Sequence, residues 1–493
     1  MDYFSTRGGA ERVSSAAAIL KGLASDGGLF VPASFPQMPL SAIEELAGLS
    51  YEERALRILR LFLTDYTEEE IEGCVRRAYS HTFDDVRRAP VTSVGDLEVL
   101  ELWHGPTNAF KDMALQLLPQ LMSTARVKQG EKDTILILVA TSGDTGKAAL
   151  EGFADAEGIR IMVFYPDGGV SPIQRLQMVT QTGDNVRVVA VRGNFDDAQR
   201  GVKEIFGDAA MAAELAAAHT KLSSANSINW GRLVPQIVYY FSAYADLLAA
   251  QKIQAGDAVN FTVPTGNFGN ILAGYYAKRM GLPVGKLVCA SNENNVLTDF
   301  LRRGIYDRRR PFRQTMSPSM DILISSNLER LLYHLTEDTA QVAAWMRSLA
   351  EEGSYDASTI LSALRESFWA SFADDGETTE EIRQIYERTQ YTLDPHTAVA
   401  YRTAESYRRE TGDLRPMIVL STASPYKFGA CVLHAIGADV EALDDFAQME
   451  HLQKRSGMPI PPRLAALRTA PVRHEEICEK DGMRDVVLDF ARR

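Results

Sequence analysis

Residues 133–158 read DTILILVATSGDTGKAALEGFADAEG and contain a strand, a turn and a helix in succession. The run from 135 to 140 is continuously apolar, which is typical of a strand that is buried on both faces. TSGDTG then supplies a tight turn, and the segment after it has the composition of a helix. A buried strand followed directly by a helix is the repeating unit of a parallel sheet.

The same unit recurs along most of the chain. Further apolar strands are IRIMVFYP (159–166), NVRVVAVRG (185–193), AVNFTVP (258–264), KLVCAS (286–291) and RPMIVLS (415–421). A chain of 493 residues is too long for one core, so several domains are expected. We predict an α/β fold with a mainly helical N-terminal domain (1–90), a first parallel-sheet domain (91–255) and a second (256–493). The second carries a helical insertion at about 300–410.

Composition excludes several classes of function. The net charge of −13 argues against nucleic acid or a membrane surface as a partner. No apolar run approaches membrane-spanning length, and the N-terminus lacks the apolar core of a secretory signal. The eight histidines show no metal-binding spacing, so we expect no metal. The four cysteines are scattered, which fits a reducing cytoplasm: Cys74, Cys289, Cys431 and Cys478.

HGPTNAFKDMA (104–114) places Lys111 where an apolar stripe begins. The stripe predicts an amphipathic helix capped by Thr107 or Asn108, and its members are Phe110, Met113, Ala114, Leu117, Leu118 and Leu121. Lys111 would then lie in the first turn, where the helix dipole lowers the pKa of its amine. A neutral amine is what a Schiff-base lysine needs. The plainer alternative is an exposed lysine.

Three loops follow predicted strands, where α/β sheets bind ligands. TSGDTG (141–146) and PTGNFGN (264–270) combine glycines with donors that suit an anion, and the second suits a single phosphate. STASPYKF (421–428) offers hydroxyls that can face a heterocycle. Taken singly, these loops are equally explained as tight turns and helix caps. An amine, a phosphate site and a hydroxyl together indicate pyridoxal phosphate (PLP) as cofactor.

The motifs also resemble, in order, those of the threonine synthase family of the longer bacterial and fungal type. The resemblance covers nearly the whole chain and rests on YFSTRG (3–8), GLASDGGLFVP (22–32), HGPTNAFKD (104–112), ATSGDTGKAA (140–149), NSINWGR (226–232), PTGNFGNILAGYYAKRMGLP (264–283), SPSMDILISSNLERLL (317–332), DPHTAVA (394–400) and STASPYKF (421–428). It implies a fold-type II PLP enzyme, similar to the tryptophan synthase β subunit.

The resemblance implies an activity and a set of site residues. The activity is that of a carbon–oxygen lyase, which forms L-threonine and phosphate from O-phospho-L-homoserine and water by γ-elimination and β-addition of water. Lys111 would be the catalytic, cofactor-bearing lysine, and Thr422 would face the pyridine nitrogen. The cofactor phosphate would be held by Gly266, Asn267, Phe268, Gly269 and Asn270. The substrate would be bound through its carboxylate by Thr141, Ser142, Asp144 and Thr145, and through its phosphate by Ser227, Asn229 and Arg232.

Some points stay open in the sequence. Ser424 stands where the family pattern has histidine, which puts a role for that position in doubt. Asn327, Glu329 and Arg330 form either a polar cluster on the substrate side or a helix cap. The alternative functions are another PLP lyase, such as a serine or threonine dehydratase, and a non-catalytic relative. We expect a cytoplasmic monomer or homodimer whose partner is a small molecule.

Overall fold

A computed structural model describes residues 1–9, 12–141, 143–440 and 443–493. In chain order its strands are β1 (Tyr3–Ser5), β2 (Phe30–Pro32), β3 (Val91–Val94), β4 (Leu97–Glu101), β5 (Thr134–Ala140), β6 (Ile159–Pro166), β7 (Val186–Arg192), β8 (Thr220–Ser223), β9 (Val259–Pro264), β10 (Val284–Ser291), β11 (Ile305–Asp307), β12 (Ser354–Asp356), β13 (Phe368–Phe372), β14 (Met417–Ser421) and β15 (Glu476–Glu479).

The α-helices are α1 (Ser15–Lys21), α2 (Leu40–Glu45), α3 (Tyr51–Phe62), α4 (Glu68–Tyr79), α5 (Asp112–Leu115), α6 (Leu118–Lys128), α7 (Asp144–Phe153), α8 (Pro172–Val179), α9 (Phe195–Gly207), α10 (Ala209–Ala217), α11 (Trp230–Ala249), α12 (Gly269–Arg279), α13 (Val296–Arg303), α14 (Leu328–Thr336), α15 (Thr339–Glu351), α16 (Leu361–Ser367), α17 (Asp375–Thr389), α18 (Pro395–Thr411), α19 (Gly429–Ala435), α20 (Asp445–Ser456), α21 (Pro462–Ala465) and α22 (Met483–Arg492). Within the described ranges, no helix has both the length and the apolar character needed to cross a bilayer.

The N-terminal segment consists of α1 to α4 and the antiparallel pair of β1 and β2. Helix α3 begins at a capping box of Ser50 and Glu53, and α4 begins at a similar box of Thr67 and Glu70. In each box the two side chains satisfy backbone N–H groups that the first helical turn leaves free. The buried face of α3 packs on α11, so the N-terminal segment shares a hydrophobic core with the rest of the molecule.

The first large sheet has the strand order β15-β7-β6-β5-β8, and all its neighbouring strands are parallel. Its central strand β6 is buried along almost its whole length, as its continuous apolar run predicts. The edge strand β15 comes from the C-terminal end of the chain. The predicted boundary of the first sheet domain at residue 255 therefore omits one of its strands, because sequence order does not reveal which edge a distant strand joins.

The second large sheet has the order β13-β10-β9-β14-β4-β3. Strand β4 lies parallel to β14, and β3 folds back on β4 in an antiparallel hairpin. Residues 91–101, which the sequence analysis assigns to the first sheet domain, thus belong to the second sheet. Because the β3–β4 hairpin is an antiparallel edge, the second sheet is mixed rather than wholly parallel. The α/β fold class itself is confirmed.

The segment from 300 to 410 is largely helical but also contributes three strands. Strands β11 and β12 pair with each other, and β13 lies parallel to β10 at the edge of the second sheet. The segment is therefore built into the sheet rather than added outside it. Helix α17 begins with a capping box of Asp374 and Glu377.

Helix α11 connects the two sheets through the centre of the molecule. Every residue from Trp230 to Tyr244 is buried, and the helix contacts α3, α5 and α12. A helix that is apolar all round must be enclosed by other elements on every side. Its first turn carries Arg232, so the polar end of this buried helix opens toward the loops that follow the strands.

Candidate active site

The loops after β5, β9 and β14 converge on Lys111. Thr422, directly after β14, accepts a hydrogen bond from the Phe110 N–H at 2.8 Å, and Ala109 and Ala423 form an antiparallel bridge. The loop after β5 brings a carboxylate oxygen of Asp144 to 3.9 Å from Lys111 Nζ. These contacts bring the carboxyl ends of strands from both sheets to one place, as α/β architecture predicts for a ligand site.

The turn before Lys111 is organised by Asp112. The Asp112 carboxylate accepts hydrogen bonds from the Thr107 N–H at 2.8 Å and the Thr107 hydroxyl at 2.7 Å. Gly105 lies so close that a Cβ there would be 2.4 Å from the Cβ of Asp112. The predicted cap at Thr107 or Asn108 is therefore wrong: Asp112 binds the turn, and Asn108 adopts a left-handed conformation with φ of 57°.

The predicted amphipathic helix is also shorter than expected. Helix α5 has four residues, from Asp112 to Leu115, and α6 starts only at Leu118. Lys111 precedes α5 as its N-cap residue rather than lying within the first turn. Every residue of α5 is buried, so the lysine is set on a rigid, fully packed segment.

Burial, more than a helix dipole, sets the state of the Lys111 amine. Burial lowers the pKa of Lys111 to about 8; the Asp144 carboxylate opposes this shift, and the cations of Lys427 and Arg232 add to it. Lys111 Nζ donates a hydrogen bond to Ser319 Oγ at 3.2 Å. The alternative of an exposed surface lysine is excluded, since Lys111 is 8% exposed.

Asp144 is a buried carboxylate held by two side chains. Its Oδ1 lies 2.5 Å from Lys427 Nζ and accepts a hydrogen bond from Gln174 Nε2 at 2.9 Å. Burial alone would raise the pKa of Asp144, but Lys427 and Lys111 outweigh burial and hold it well below its usual range. Asp144 therefore carries a negative charge beside the lysine amine.

The glycine loop after β9 approaches the backbone of another loop. A Cβ on Gly266 would lie 2.8 Å from the carbonyl oxygen of Ser319, whereas a Cβ on Gly269 would meet nothing closer than 3.5 Å. Neither glycine has a positive φ; the left-handed residue is Phe268, with φ of 62°, at the N-cap of α12. Close backbone approach therefore explains the glycine at position 266.

Residues 325–327 brace the glycine loop. Ser325 Oγ donates to the Gly266 carbonyl at 2.8 Å, and the Asn327 N–H donates to the Asn267 carbonyl at 3.1 Å. Asn267 itself is exposed. The loop thus enters α12 with its backbone fixed from outside.

Buried donors without acceptors lie at the starts of α11 and α12. They are Nδ2 of Asn270, Nδ2 of Asn327 and Nε of Arg232, none of which has a hydrogen-bond partner among the described residues. A Cβ on Gly269 would lie 3.5 Å from Asn327 Nδ2 and 3.7 Å from Ser227 Cβ, so these side chains face one helix N-terminus. Buried donors are rarely left unpaired, and helix N-termini attract anions, so the place fits a phosphate.

Arg232 is a buried cation whose contacts are few. Its Nη1 donates to the Ala225 carbonyl at 2.9 Å, and burial lowers the pKa of its guanidinium to about 10, opposed by Tyr239. The plainer alternative for Arg232 is a surface or interhelix ion pair. Its 4% exposure excludes a surface position, and it forms no ion pair with a described residue. Ser227 is half-buried and lies just before the start of α11.

Asn229 and Thr141 have structural tasks. The Asn229 side chain caps α11 through the Gly231 N–H at 2.8 Å, and its Nδ2 donates to the carbonyls of Ile19 and Ser224. Thr141 Oγ1 accepts from the N–H groups of Gly143 and Gly146 at 3.0 and 2.9 Å. Both therefore shape the loops around the site, and the hydrogen-bonding atoms of the Asn229 side chain are used within the protein.

The remaining positions differ in whether their side chains are used for contacts within the protein. Thr145 is half-buried in the first turn of α7, and Ser142 lies outside the described residues. Ser424 Oγ accepts from the Tyr426 N–H at 3.4 Å and caps a short 3-10 turn, so this position is structural. Glu329 binds Arg7 through two contacts of 2.9 Å, and α14 starts without a side-chain cap, so the helix-cap alternative for these residues is wrong. Arg330 likewise binds backbone carbonyls, those of Phe30 and Ile228.

Three residues at the site escaped the sequence analysis as site residues: Ser319, His396 and Lys427. Ser319 accepts from Lys111, and the Ser319 N–H donates to Nε2 of His396 at 3.1 Å. His396 Nδ1 lies 2.9 Å from Asp394, which fixes the protonated nitrogen as Nδ1. All three stand in motifs quoted above, but no spacing rule connects Ser319 to a lysine 208 positions earlier. Among the described residues no cluster could hold a metal ion.

The chain is similar to known proteins over most of its length. Three family profiles match, described as threonine synthase N terminus (residues 2–79), pyridoxal-phosphate dependent enzyme (96–364) and threonine synthase, C-terminal (397–487). A threonine synthase of Schizosaccharomyces pombe is 40% identical over 470 residues, covering 89% of this chain and 90% of its own. One from Pseudomonas aeruginosa is 41% identical, covering 88% and 90%.

Solved structures of threonine synthases have the same fold as this chain. PLP-bound threonine synthase from Brucella melitensis is 38% identical, with a TM-score of 0.88 and 100% of both chains covered. The yeast threonine synthase structure is 35% identical with the same TM-score, covering 99% of this chain and 98% of its own. The lysine amine and the buried donors fit PLP, which carries an aldehyde and a phosphate. The chain therefore belongs to the threonine synthase family of PLP-dependent, fold-type II enzymes.

Proposed function

We propose that the protein is a threonine synthase, which converts O-phospho-L-homoserine and water into L-threonine and phosphate. The observation that carries this proposal is Arg232, a buried guanidinium with a free Nε and no carboxylate partner among the described residues. An uncompensated buried charge is costly, so the arrangement favours an anionic ligand. Membership of the family supports a phosphate ester as that ligand.

PLP, when bound, supplies an electron sink beside the carbon that carries the substrate amine. We assign its attachment to Lys111 Nζ and its ring nitrogen to Thr422. Its phosphate is assigned to the loop that opens α12, whose members are Gly266, Asn267, Phe268, Gly269 and Asn270. The support is the free Nδ2 of Asn270 and the N-terminus of α12, which offer donors where an anion would lie.

In this proposal Lys111 also moves the proton. Once a substrate amine has replaced it, Nζ is free to accept a proton from the amine-bearing carbon. A pKa of about 8 leaves part of the amine neutral near physiological pH, which suits a base. Ser319 Oγ, 3.2 Å away, holds the amine in one direction.

The substrate is anchored at two places. We assign its carboxylate to the loop of Thr141 to Thr145, where Thr141 orients the loop and Thr145 presents a half-buried hydroxyl at a helix N-terminus. Its phosphate is assigned to Ser227 and Arg232, and the support is the Nε of Arg232, which has no hydrogen-bond partner among the described residues. Asn229 is assigned only the task of holding this helix start in place.

Arg232 also helps the phosphate to leave. A guanidinium offers a planar pair of donors that match two phosphate oxygens, and the charge on those oxygens grows as the bond to the γ-carbon breaks. Release of phosphate also requires that a proton leave the β-carbon. A proton is then added at the γ-carbon, and water gives its OH to the β-carbon and its remaining proton to the phosphate. Return of a proton from Lys111 to the amine-bearing carbon restores the lysine to its starting state. A dehydratase acting on serine or threonine has no use for this second anion site.

We further propose a cytoplasmic enzyme that works as a monomer or a homodimer on a small-molecule substrate. All four cysteines are free thiols in the structure, and Cys74 and Cys289 are buried. Thiols without disulfide partners suit a reducing compartment. Sedimentation of the purified protein distinguishes the two assembly states.

The test is to supply O-phospho-L-homoserine to the PLP-loaded enzyme and to measure phosphate and amino-acid product together. Equal amounts of phosphate and L-threonine are expected, with little keto acid formed from threonine or serine. Keto acid released from threonine faster than phosphate from O-phospho-L-homoserine would identify a dehydratase instead. Absence of both products would favour a non-catalytic relative.

A further inference from the structure

Lys427 is a buried lysine that crosses from the loop after β14 to the loop after β5. Its side chain is fully buried, and its Nζ lies 2.5 Å from Asp144 Oδ1. The same Nζ donates to the carbonyl of Thr107 at 3.0 Å, four residues before Lys111. Lys427 therefore binds both the carboxylate beside the reactive lysine and the turn that presents that lysine.

Asp144 is shared unequally between two lysines. Lys427 Nζ is in contact with its Oδ1, whereas Lys111 Nζ is 3.9 Å from its Oδ2 and donates its hydrogen bond to Ser319 instead. In a buried site an ion pair strengthens steeply as the charges approach. If Lys427 lost its charge, Asp144 would have only one lysine left as counter-ion, and that lysine is Lys111.

We propose that Lys427 is a positioning residue that engages the Asp144 carboxylate and so keeps the Lys111 amine available for attachment to the cofactor aldehyde and for proton transfer. The inference rests on the role proposed above for Lys111. Lys427 is not required to touch the substrate or the cofactor. It acts by giving Asp144 a permanent partner that is not Lys111.

The other charges around Lys111 are consistent with this role of Lys427. Arg232 on α11 and Lys427 lower the pKa of the Lys111 amine, whereas Asp144 on α7 and Asp112 on α5 raise it. Asp112 is occupied by hydrogen bonds from Thr107, and its buried carboxyl has its pKa raised to about 6. Ser319, on the remaining side, is neutral. Asp144 is thus the negative charge that acts most strongly on Lys111, and Lys427 is its contact partner.

The experiment measures the protonation of Lys111 directly in the full-length protein after its PLP has been removed. A limiting amount of an amine-acylating reagent is added across a pH series, and labelling of the Lys111 peptide is followed by mass spectrometry. In Lys427→Met the labelling midpoint should rise by about one to three pH units, the effect of an unshared opposite charge. In Asp144→Asn/Lys427→Met the midpoint should return toward that of the unsubstituted protein, since the attracting charge is gone.

Lys427→Arg is the matched control, because it keeps a positive charge beside Asp144; its midpoint should remain near that of the unsubstituted protein. The double variant also guards against misfolding, since it leaves no unpaired charge in the pair. An unchanged midpoint in a folded Lys427→Met protein overturns the inference. So does a raised midpoint that persists in the double variant, because Asp144 would then not be its cause.

Loss of PLP attachment should accompany the labelling change. The rate at which added PLP attaches to Lys427→Met should fall at pH 7.5 and recover at higher pH, where Lys111 loses its proton. Labelling of Lys111 and attachment of PLP can both be measured without any reaction of the substrate. If the expected changes appear in a protein that releases no phosphate from O-phospho-L-homoserine, the inference stands and the proposed function fails; if phosphate is released but no shift appears, the reverse holds.

Discussion

His396 Nε2 accepts a hydrogen bond from the backbone N–H of Ser319 at 3.1 Å, and both belong to loops that the chain brings together from 77 positions apart. Ser319 then accepts the hydrogen bond of Lys111. Asp394 accepts from the other ring nitrogen of His396 and also caps α18, so the imidazole cannot rotate freely. A rigid helix end is thereby connected to the reactive amine.

Replacing His396 by Phe should lower kcat about tenfold, because the Ser319 N–H loses its acceptor and the loop loosens around Lys111. KM for O-phospho-L-homoserine should change little, since neither His396 nor Ser319 is assigned to the substrate phosphate. His396→Gln, whose amide oxygen can accept the same bond, should restore most of kcat. Ser319→Ala should reproduce the loss, and the double variant should lose less than the product of the single effects. If the two effects on kcat simply multiply in the double variant, Ser319 and His396 act independently and the proposed connection between them is wrong.

Lys111→Ala should abolish covalent attachment of PLP while leaving the fold in place. Truncating one lysine side chain next to the short helix α5 removes little apolar packing. Borohydride reduction followed by mass spectrometry should find PLP on Lys111 in the unsubstituted protein and on no lysine of the variant. A variant that still carried PLP on another lysine, or that kept turnover, would move the catalytic role elsewhere.

The two glycines of the α12 loop should respond differently to alanine. Gly266→Ala places a Cβ 2.8 Å from the Ser319 carbonyl, so it should destabilise the PLP-free protein by about 1–3 kcal/mol. Gly269→Ala meets nothing closer than 3.5 Å and should leave the stability of the PLP-free protein almost unchanged. If the cofactor phosphate lies at this helix start, Gly269→Ala should still weaken PLP binding.

Urea unfolding with and without PLP measures both effects in one experiment. The result that counts against the assignment is a Gly269→Ala protein with normal PLP affinity. In that case the phosphate would lie away from the N-terminus of α12. Equal destabilisation by both substitutions without PLP would contradict the different packing around the two glycines.

Arg232→Lys keeps the charge but loses the paired donors of the guanidinium. The kcat/KM for O-phospho-L-homoserine should fall about ten- to a hundredfold, as expected when a charge-assisted, two-point contact is lost. Binding of PLP should be nearly normal. Binding of L-threonine, which has no phosphate, should also be nearly normal and serves as the control. Equal losses for the two ligands would assign Arg232 to the architecture of the site.

What could be predicted from the sequence was local. The run of buried strands indicated a parallel sheet, and Lys111, Asn270 and Arg232 each stood out within a short motif. Sheet membership was not local: β4 joins β14 and β15 joins β7 across some 300 residues, which no periodicity records. The same holds for the site, where Ser319, His396 and Lys427 reach Lys111 or Asp144 only through the fold.

One error has a clear physical cause. The helix after Lys111 was expected to begin near Thr107, but α5 begins only at Asp112. Propensity rules describe a segment by itself, whereas here contacts with other residues of the fold decide the local conformation. The Asp112 carboxylate takes the Thr107 donors, and the Ser319 carbonyl occupies the space where a Gly266 side chain would lie.

A last prediction concerns stability away from the site. Glu381 on α17 is 1% exposed, and neither of its carboxylate oxygens has a hydrogen-bond partner among the described residues. Burial and the charge of Glu405 raise the pKa of Glu381 to about 7, although Arg402, 3.8 Å away, opposes the shift. The folded protein therefore binds a proton at Glu381 more tightly than the unfolded chain does.

A carboxyl whose pKa is raised by folding stabilises the protein below its unfolded pKa, near 4.5, and this contribution is lost as pH rises through about 7. Glu381→Gln mimics the protonated carboxyl at every pH. The variant should therefore exceed the unsubstituted protein by less than about 1 kcal/mol in the free energy of unfolding near pH 5, and by up to about 3 kcal/mol at pH 8. Glu380→Gln, a change at the neighbouring residue that pairs with Arg383 at the surface, is the control and should show no such gain at pH 8. Urea unfolding at both pH values decides the matter: a Glu381→Gln protein that gains nothing between pH 5 and pH 8 would mean that the buried carboxylate has a partner in solution that compensates its charge.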